Sequence, residues 1–148
     1  MPSTYYNLNV HVIFSTKNRH PFLGTEQLDE IHRYLGGTIR ELGCHPIRVG
    51  GIADHVHLLF GFKPVQSVAE IVREVKKSST KWIRSDLGIK DFAWQEGYAA
   101  LSVSRERLEV VEKYVANQAE HHRKKSFREE LVELLRFAHI EFDERFLD

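Results

Sequence analysis

At 148 residues the chain has room for one compact domain with a real core and little room for a second. Hydrophobic residues make up 42% and charged residues 28%, a globular balance that excludes intrinsic disorder, and no apolar run is long enough to span a bilayer. Lysine plus arginine and aspartate plus glutamate both number 21, so bulk positive charge cannot be what holds a nucleic acid.

The charge is unevenly spread. Residues 126–148 carry three basic and seven acidic residues, net −4, which leaves residues 1–125 at +4. An acidic tail on a mildly basic body permits DNA binding without requiring it. The opening Met1-Pro2-Ser3-Thr4 lacks the basic start and apolar core of a secretory signal. The single cysteine, Cys44, excludes an internal disulfide and a cysteine-built zinc site, and fits a reducing cytoplasm.

In chain order, Tyr5–Phe14 is rich in β-branched and aromatic residues and reads as a strand. From Thr25, a plausible N-cap, to Leu42, the residues Leu28, Ile31, Leu35, Ile39 and Leu42 fall at helical spacing, and Gly43 stops the helix. Ile47–Val49 and His55–Phe62 read as two strands joined by the Gly50–Asp54 turn. A second helix spans Ser67–Arg84, with Val68, Ile71, Val72, Val75, Ser79 and Trp82 on one stripe. Ala93–Val103 reads as a fourth strand, Ser104 caps a third helix running to about Arg123, and Phe127–Ala138 suggests a short fourth. The order β-α-β-β-α-β followed by helices predicts an α+β, ferredoxin-like antiparallel sheet with two helices on one face and the other face open. The expectation is one domain over 1–148, with a helix at about 104–125 and an acidic tail at 126–148.

Alternation along a strand puts His55 and His57 on one face and Val56 and Leu58 on the other. If the apolar pair faces the helices, two imidazoles stand together on the open face, spaced to share a metal ion. Alone, this spacing is a weak signal in a chain with nine histidines. On the third helix, Leu108, Val111, Val115 and Ala119 form an apolar stripe, and Tyr114 and Gln118 lie beside it as i,i+4 neighbours. A tyrosine there could attack phosphorus, and a glutamine one turn on could offer a metal its carbonyl oxygen. Ordinary amphipathic packing explains either residue taken singly. Arg73, Lys77, Lys81 and Arg84, on the far face of the second helix, read first as a solvated face and second as a DNA contact, given Glu70 and Glu74 nearby.

The combination is more specific than its parts. His55-Val56-His57 and Tyr114-x-x-x-Gln118, in this order and in this fold, resemble the single-tyrosine transposases of the insertion-sequence 200/605 family, within the HUH nuclease group. Val12–Lys17, Trp94–Tyr98, Ser102–Ser104 and the run from Asn117 into His121-His122-Arg123-Lys124-Lys125 look similar as well, so the likeness extends from about Tyr5 to Asp148. The resemblance implies an enzyme that cleaves and rejoins single-stranded DNA at hairpin ends, through a 5′-phosphotyrosine on Tyr114. It implies a divalent ion, Mg2+ or Mn2+, held by His55, His57 and Gln118, with manganese better suited to imidazole. His121, His122, Arg123 and Lys125 become candidate DNA contacts, with one of the two histidines a candidate base. It also implies a homodimer in which each Tyr114 helix completes the partner's site. A host endonuclease acting on repeated hairpins would read the same way. A non-catalytic ferredoxin-like nucleic-acid-binding module fits less well. The central strands lack closely spaced exposed aromatics for stacking bases, and His11 and His57 are poor substitutes.

Overall fold

Four strands form one antiparallel sheet in the order β2-β3-β1-β4, as described for residues 3–147 in a computed structural model. They are β1 (Asn9–Ser15), β2 (His45–Ile52), β3 (His55–Gly61) and β4 (Ala99–Ser102). β1 and β3, the strands with the densest runs of apolar side chains, are central, and both are buried over nearly their whole length. Helices α1 (Leu28–Glu41) and α2 (Val68–Ser85) cover one face. Val10, Val12 and Phe14 of β1 and Val56, Leu58 and Phe60 of β3 pack there against Ile31, Leu35, Ile39, Ile71, Val72, Val75 and Ile83. Ser67 caps α2 by accepting from the Glu70 amide, and Trp82 stacks on Tyr34, so it serves packing.

The alternate side chains of the same strands point the other way, and that face is not open. Helix α3 (Leu108–Ala116) lies over the β2–β3 side, where Val115 meets Leu59 with Leu108, Val111 and Ile47 around it. Helix α5 (Phe127–Phe137) lies over the β1–β4 side, with Phe127, Leu131 and Leu135 packed on Ile13, Ala99 and Leu101. A capping box between Ser126 and Glu129 fixes where α5 begins. The 126–148 segment is therefore largely a packed part of the fold, where charge counting suggested only a tail. Met1, Pro2 and Asp148, which the readings of the N-terminus and of that segment include, lie outside the described residues.

Other expectations need correction. β1 starts four residues later than predicted and β2 is longer than Ile47–Val49. Of the predicted Ala93–Val103 strand only Ala99–Ser102 is ladder, with Trp94 making an isolated bridge to Thr16. The single helix expected from Ser104 is three pieces: a 3-10 turn at Arg105–Arg107, α3, and the short α4 (Gln118–His121). The break falls at Asn117, whose ψ of 27° leaves the helical region. Tyr114 and Gln118 are thus on consecutive helices.

Candidate active site

The two strand histidines are brought together as the alternation requires, and both are fully buried. His55 and His57 face the α3–α5 layer, with ring centroids 5.1 Å apart. Tyr114 reaches them from the end of α3, its ring 5.8 Å from that of His57. The close docking of α3 depends on Gly50, which pairs with His57 in the β2–β3 ladder. A Cβ at that position would stand 2.0 Å from the Val115 carbonyl oxygen, so only glycine lets the helix backbone come so near the strand.

Gln118 Nε2 donates to the Tyr114 carbonyl (3.3 Å), which turns Gln118 Oε1 inward to 3.0 Å from His55 Nε2. His122 Nε2 stands 3.0 Å from the same oxygen. Two residues outside the expected set of ligands complete the cluster. One is His122, expected as a DNA contact or base but 3% exposed at its side chain. The other is Glu130 of α5, 1% exposed, with Oε1 3.1 Å from His57 Nε2 and 3.1 Å from His122 Nε2. The Tyr114 hydroxyl donates to Glu130 Oε2, and His121 Nε2 lies 3.3 Å from that hydroxyl.

The outer hydrogen bonds decide what the inner atoms present. The Lys125 carbonyl can only accept, so His122 Nδ1 carries the proton that it donates there (2.7 Å). His55 Nδ1 likewise donates to Asp54 Oδ1 (2.7 Å). In the neutral ring each Nε2 then holds only a lone pair, and each faces the oxygen lone pairs of Gln118 and Glu130. Two imidazole lone pairs converging on two acceptor oxygens require a positive charge between them, supplied by a proton or a metal ion. Distal N–H groups tied to acceptors are also how metal-binding histidines are held. The donors of His55, His57, His122 and Glu130 all lie within 4.8 Å of one another, and they fit a divalent ion.

Proton affinities follow the same pattern. Burial works against charge on His55, but bonds to Asp54, Glu130 and Gln118 outweigh it and lift the ring to about 9. Burial dominates at His57, held down to about 4, and at His11, held down to about 3. His11 is also joined to His57 Nδ1 at 2.7 Å. Burial favours a neutral Glu130, yet bonds from His122, His55 and His57 hold it well below the usual carboxylate range. Burial first and Glu130 second push the Tyr114 hydroxyl well above its ordinary value, so the phenol keeps its proton.

The remaining predicted contacts are not gathered here. Arg123 pairs with Glu120 and Lys125 with Glu133 on the surface. Arg73 is exposed beside Glu74. Lys77, Lys81 and Arg84 line a groove of about 920 Å³ with Lys76, Lys90 and Trp94, on the α2 side of the sheet and away from Tyr114. Tyr114 meets His57 of its own chain, because the apolar side of α3 finds its counterpart in its own Ile47, Leu59 and Val103.

The family model described as transposase IS200 like matches residues 4–118. The ISDra2 transposase TnpA of Deinococcus radiodurans is 28% identical over 120 residues, covering 76% of this chain and 85% of that one. A crystal structure of a chain from Deinococcus radiodurans R1, assigned as a transposase, superposes with a TM-score of 0.66 at 27% identity, covering 80% of this chain and 95% of that one. A REP-associated tyrosine transposase bound to a REP hairpin shares the fold, with a TM-score of 0.56 at 16% identity over 78% of this chain and 70% of that one. Among the described residues no helix is long and apolar enough to cross a membrane.

Proposed function

The chain belongs to the IS200-like transposase family, and from that premise we propose that it cleaves and rejoins single-stranded DNA at hairpin ends, with Tyr114 as the nucleophile. The observation that carries the reading is the meeting of the Tyr114 hydroxyl, through Glu130, with the imidazoles of His55 and His57 in one buried cluster.

Tyr114 Oη forms a bond to the scissile phosphorus while the bond from phosphorus to the 3′ oxygen breaks. The products are a 5′-phosphotyrosine and a free 3′-hydroxyl. The phosphotyrosine conserves the energy of the broken ester, so a second 3′-hydroxyl can reverse the step on another strand without a nucleotide cofactor. Glu130 Oε2 is the acceptor toward which the hydroxyl proton points. Buried His57 and His11 stay neutral at physiological pH and leave lone pairs available. His55, His57 and the Gln118 carbonyl oxygen would hold a divalent ion, Mg2+ or Mn2+, which when bound neutralises charge on the phosphate oxygens and favours ionisation of the nearby phenol. A buried setting makes that stabilisation larger than it would be in water.

The basic groove of Lys77, Lys81 and Arg84 is a place for DNA backbone phosphates outside the cleavage site, with Trp94 at its floor. His121, Arg123 and Lys125 border the nucleophile and could meet the strand near the cut. A homodimer belongs to the reading because exchange needs two DNA ends held together, with one complete site per chain. Incubating the protein with a single-stranded hairpin oligonucleotide and Mn2+ tests the proposal. A covalent protein–DNA adduct that chelator suppresses is expected, and an intact oligonucleotide under all metal conditions overturns it.

A further inference from the structure

We infer that His122 and Glu130 are metal ligands alongside His55, His57 and Gln118, forming a three-nitrogen, two-oxygen centre suited to a divalent transition-metal ion. The inference rests on the proposed metal site and extends it to two residues beyond position 118, where the family match ends.

The distances carry it. Donors about 2.1 Å from a common ion stand about 3.0 Å apart along an octahedral edge and about 3.4 Å apart along a tetrahedral one. Gln118 Oε1 is 3.0 Å from the Nε2 atoms of both His55 and His122. Glu130 Oε1 is 3.1 Å from those of His57 and His122, and 3.4 Å from that of His55. Four of these separations match an octahedral edge, and the fifth, between Glu130 and His55, is a few tenths of an ångström longer. The outer contacts agree with it, since Asp54 and the Lys125 carbonyl turn the lone pairs of His55 and His122 inward.

The Glu130 side chain has an environment that such a role explains. It lies on the apolar stripe of α5 between Phe127 and Leu134, where an uncompensated carboxylate costs several kcal/mol. Among the described residues no arginine or lysine is paired with it, and its partners are imidazoles and the Tyr114 hydroxyl. Three imidazoles with a single carboxylate favour manganese, cobalt or zinc over magnesium, which prefers oxygen donors and retained water. The ion would fasten β3, α4 and α5 together, with Glu130 giving one oxygen to the centre and the other to the nucleophile.

The test is metal binding by the full chain, independent of DNA. Titration calorimetry with Mn2+ and visible absorption with Co2+ are run on the wild type, Glu130→Gln, His122→Ala, His57→Ala and Glu133→Gln, with folding checked by circular dichroism. Outer-shell partners alone change metal affinity roughly 10–100-fold, so losing a direct ligand should weaken binding at least about tenfold. Glu130→Gln and His122→Ala should each do this and shift the Co2+ bands, and Glu133→Gln should match the wild type. If Glu130→Gln does not fold, Glu130→Asp keeps the charge, and displaced Co2+ bands in that variant are expected. Wild-type affinity and bands in both the Glu130 and His122 variants, with loss only in His57→Ala, overturn the inference and leave the proposed function standing. A wild type that binds neither ion overturns the inference too. Metal binding as inferred without any DNA adduct overturns the function alone.

Discussion

The Tyr114 hydroxyl donates to the Glu130 carboxylate, sixteen residues further along the chain, and this bond joins the two helices that close the back of the sheet. The bond fixes where the phenol points, so the proposed nucleophile is oriented before DNA arrives. Replacing Tyr114 with Phe removes that oxygen and nothing else from the packing. The covalent adduct should vanish while hairpin binding persists, and stability should fall by about 1–3 kcal/mol because Glu130 loses a buried partner. Gel retardation, denaturing electrophoresis and urea unfolding read the three effects. Adduct formation at the wild-type level would remove Tyr114 from the mechanism.

The docking of α3 on its own sheet gives a second prediction. Mixing Tyr114→Phe chains with His57→Ala chains should restore no cleavage even where heterodimers form, because each site takes both residues from one chain. Recovered activity in the mixture would show that the helices exchange between subunits.

His55 provides the pH dependence. Its ring holds a proton up to about pH 9, whereas His57, at about 4, and His11, at about 3, are already neutral. A metal ion must displace the His55 proton, so apparent affinity should rise about tenfold per pH unit from neutrality toward 9 and level off above it. Calorimetry in buffers of different ionisation enthalpy would count the protons released. A flat profile over that range would mean that His55 is not a ligand.

Most of the fold could be read from the chain because its signals are local. Val10, Val12 and Phe14, then Val56, Leu58 and Phe60, recur at every second residue as one face of a strand must, and that alternation alone puts His55 beside His57. The candidate site was legible only where a motif concentrates it, at His-Val-His and at Tyr114 with Gln118. His122 reads from the sequence as a DNA contact or base and not as a ligand, because the Lys125 carbonyl that turns it inward belongs to the backbone. Glu130 was lost among seven acidic residues counted as a tail. The clue was its place on the stripe of Phe127, Leu131 and Leu134, where a carboxylate needs a partner. The break at Asn117 escaped for a different reason, since no glycine or proline marks it.

Gly50 tests how tightly Tyr114 must be held. Gly50→Ala puts a methyl group 2.0 Å from the Val115 carbonyl oxygen, so α3 must shift away from the strand. Destabilisation of about 1–3 kcal/mol is expected from the overpacking, with adduct formation falling more steeply than hairpin binding. Wild-type stability and rate in this variant would show that the helix docks differently.

The groove beside α2 predicts a salt effect. Lys77→Ala with Lys81→Ala should weaken DNA binding without changing metal affinity. The slope of log affinity against log salt should shrink by about 1.5, from two lost phosphate contacts. Arg84 is left in place because its Nε donates to the Phe92 carbonyl (2.8 Å) and serves the fold. An unchanged slope would move the DNA path elsewhere.

The position of α5 also bears on how such an enzyme is made. His55 and His57 leave the ribosome roughly 70 residues before Glu130, a delay of about 4–14 s at ordinary translation speeds. During that interval α3 can already dock over the β2–β3 side, but Tyr114 still lacks the Glu130 carboxylate that orients its hydroxyl. The buried cluster of His55, His57, His122 and Glu130 is thus complete only when α5 folds back. A chain cut ahead of that helix would keep His55, His57, Tyr114 and Gln118 but lose the carboxylate that joins them.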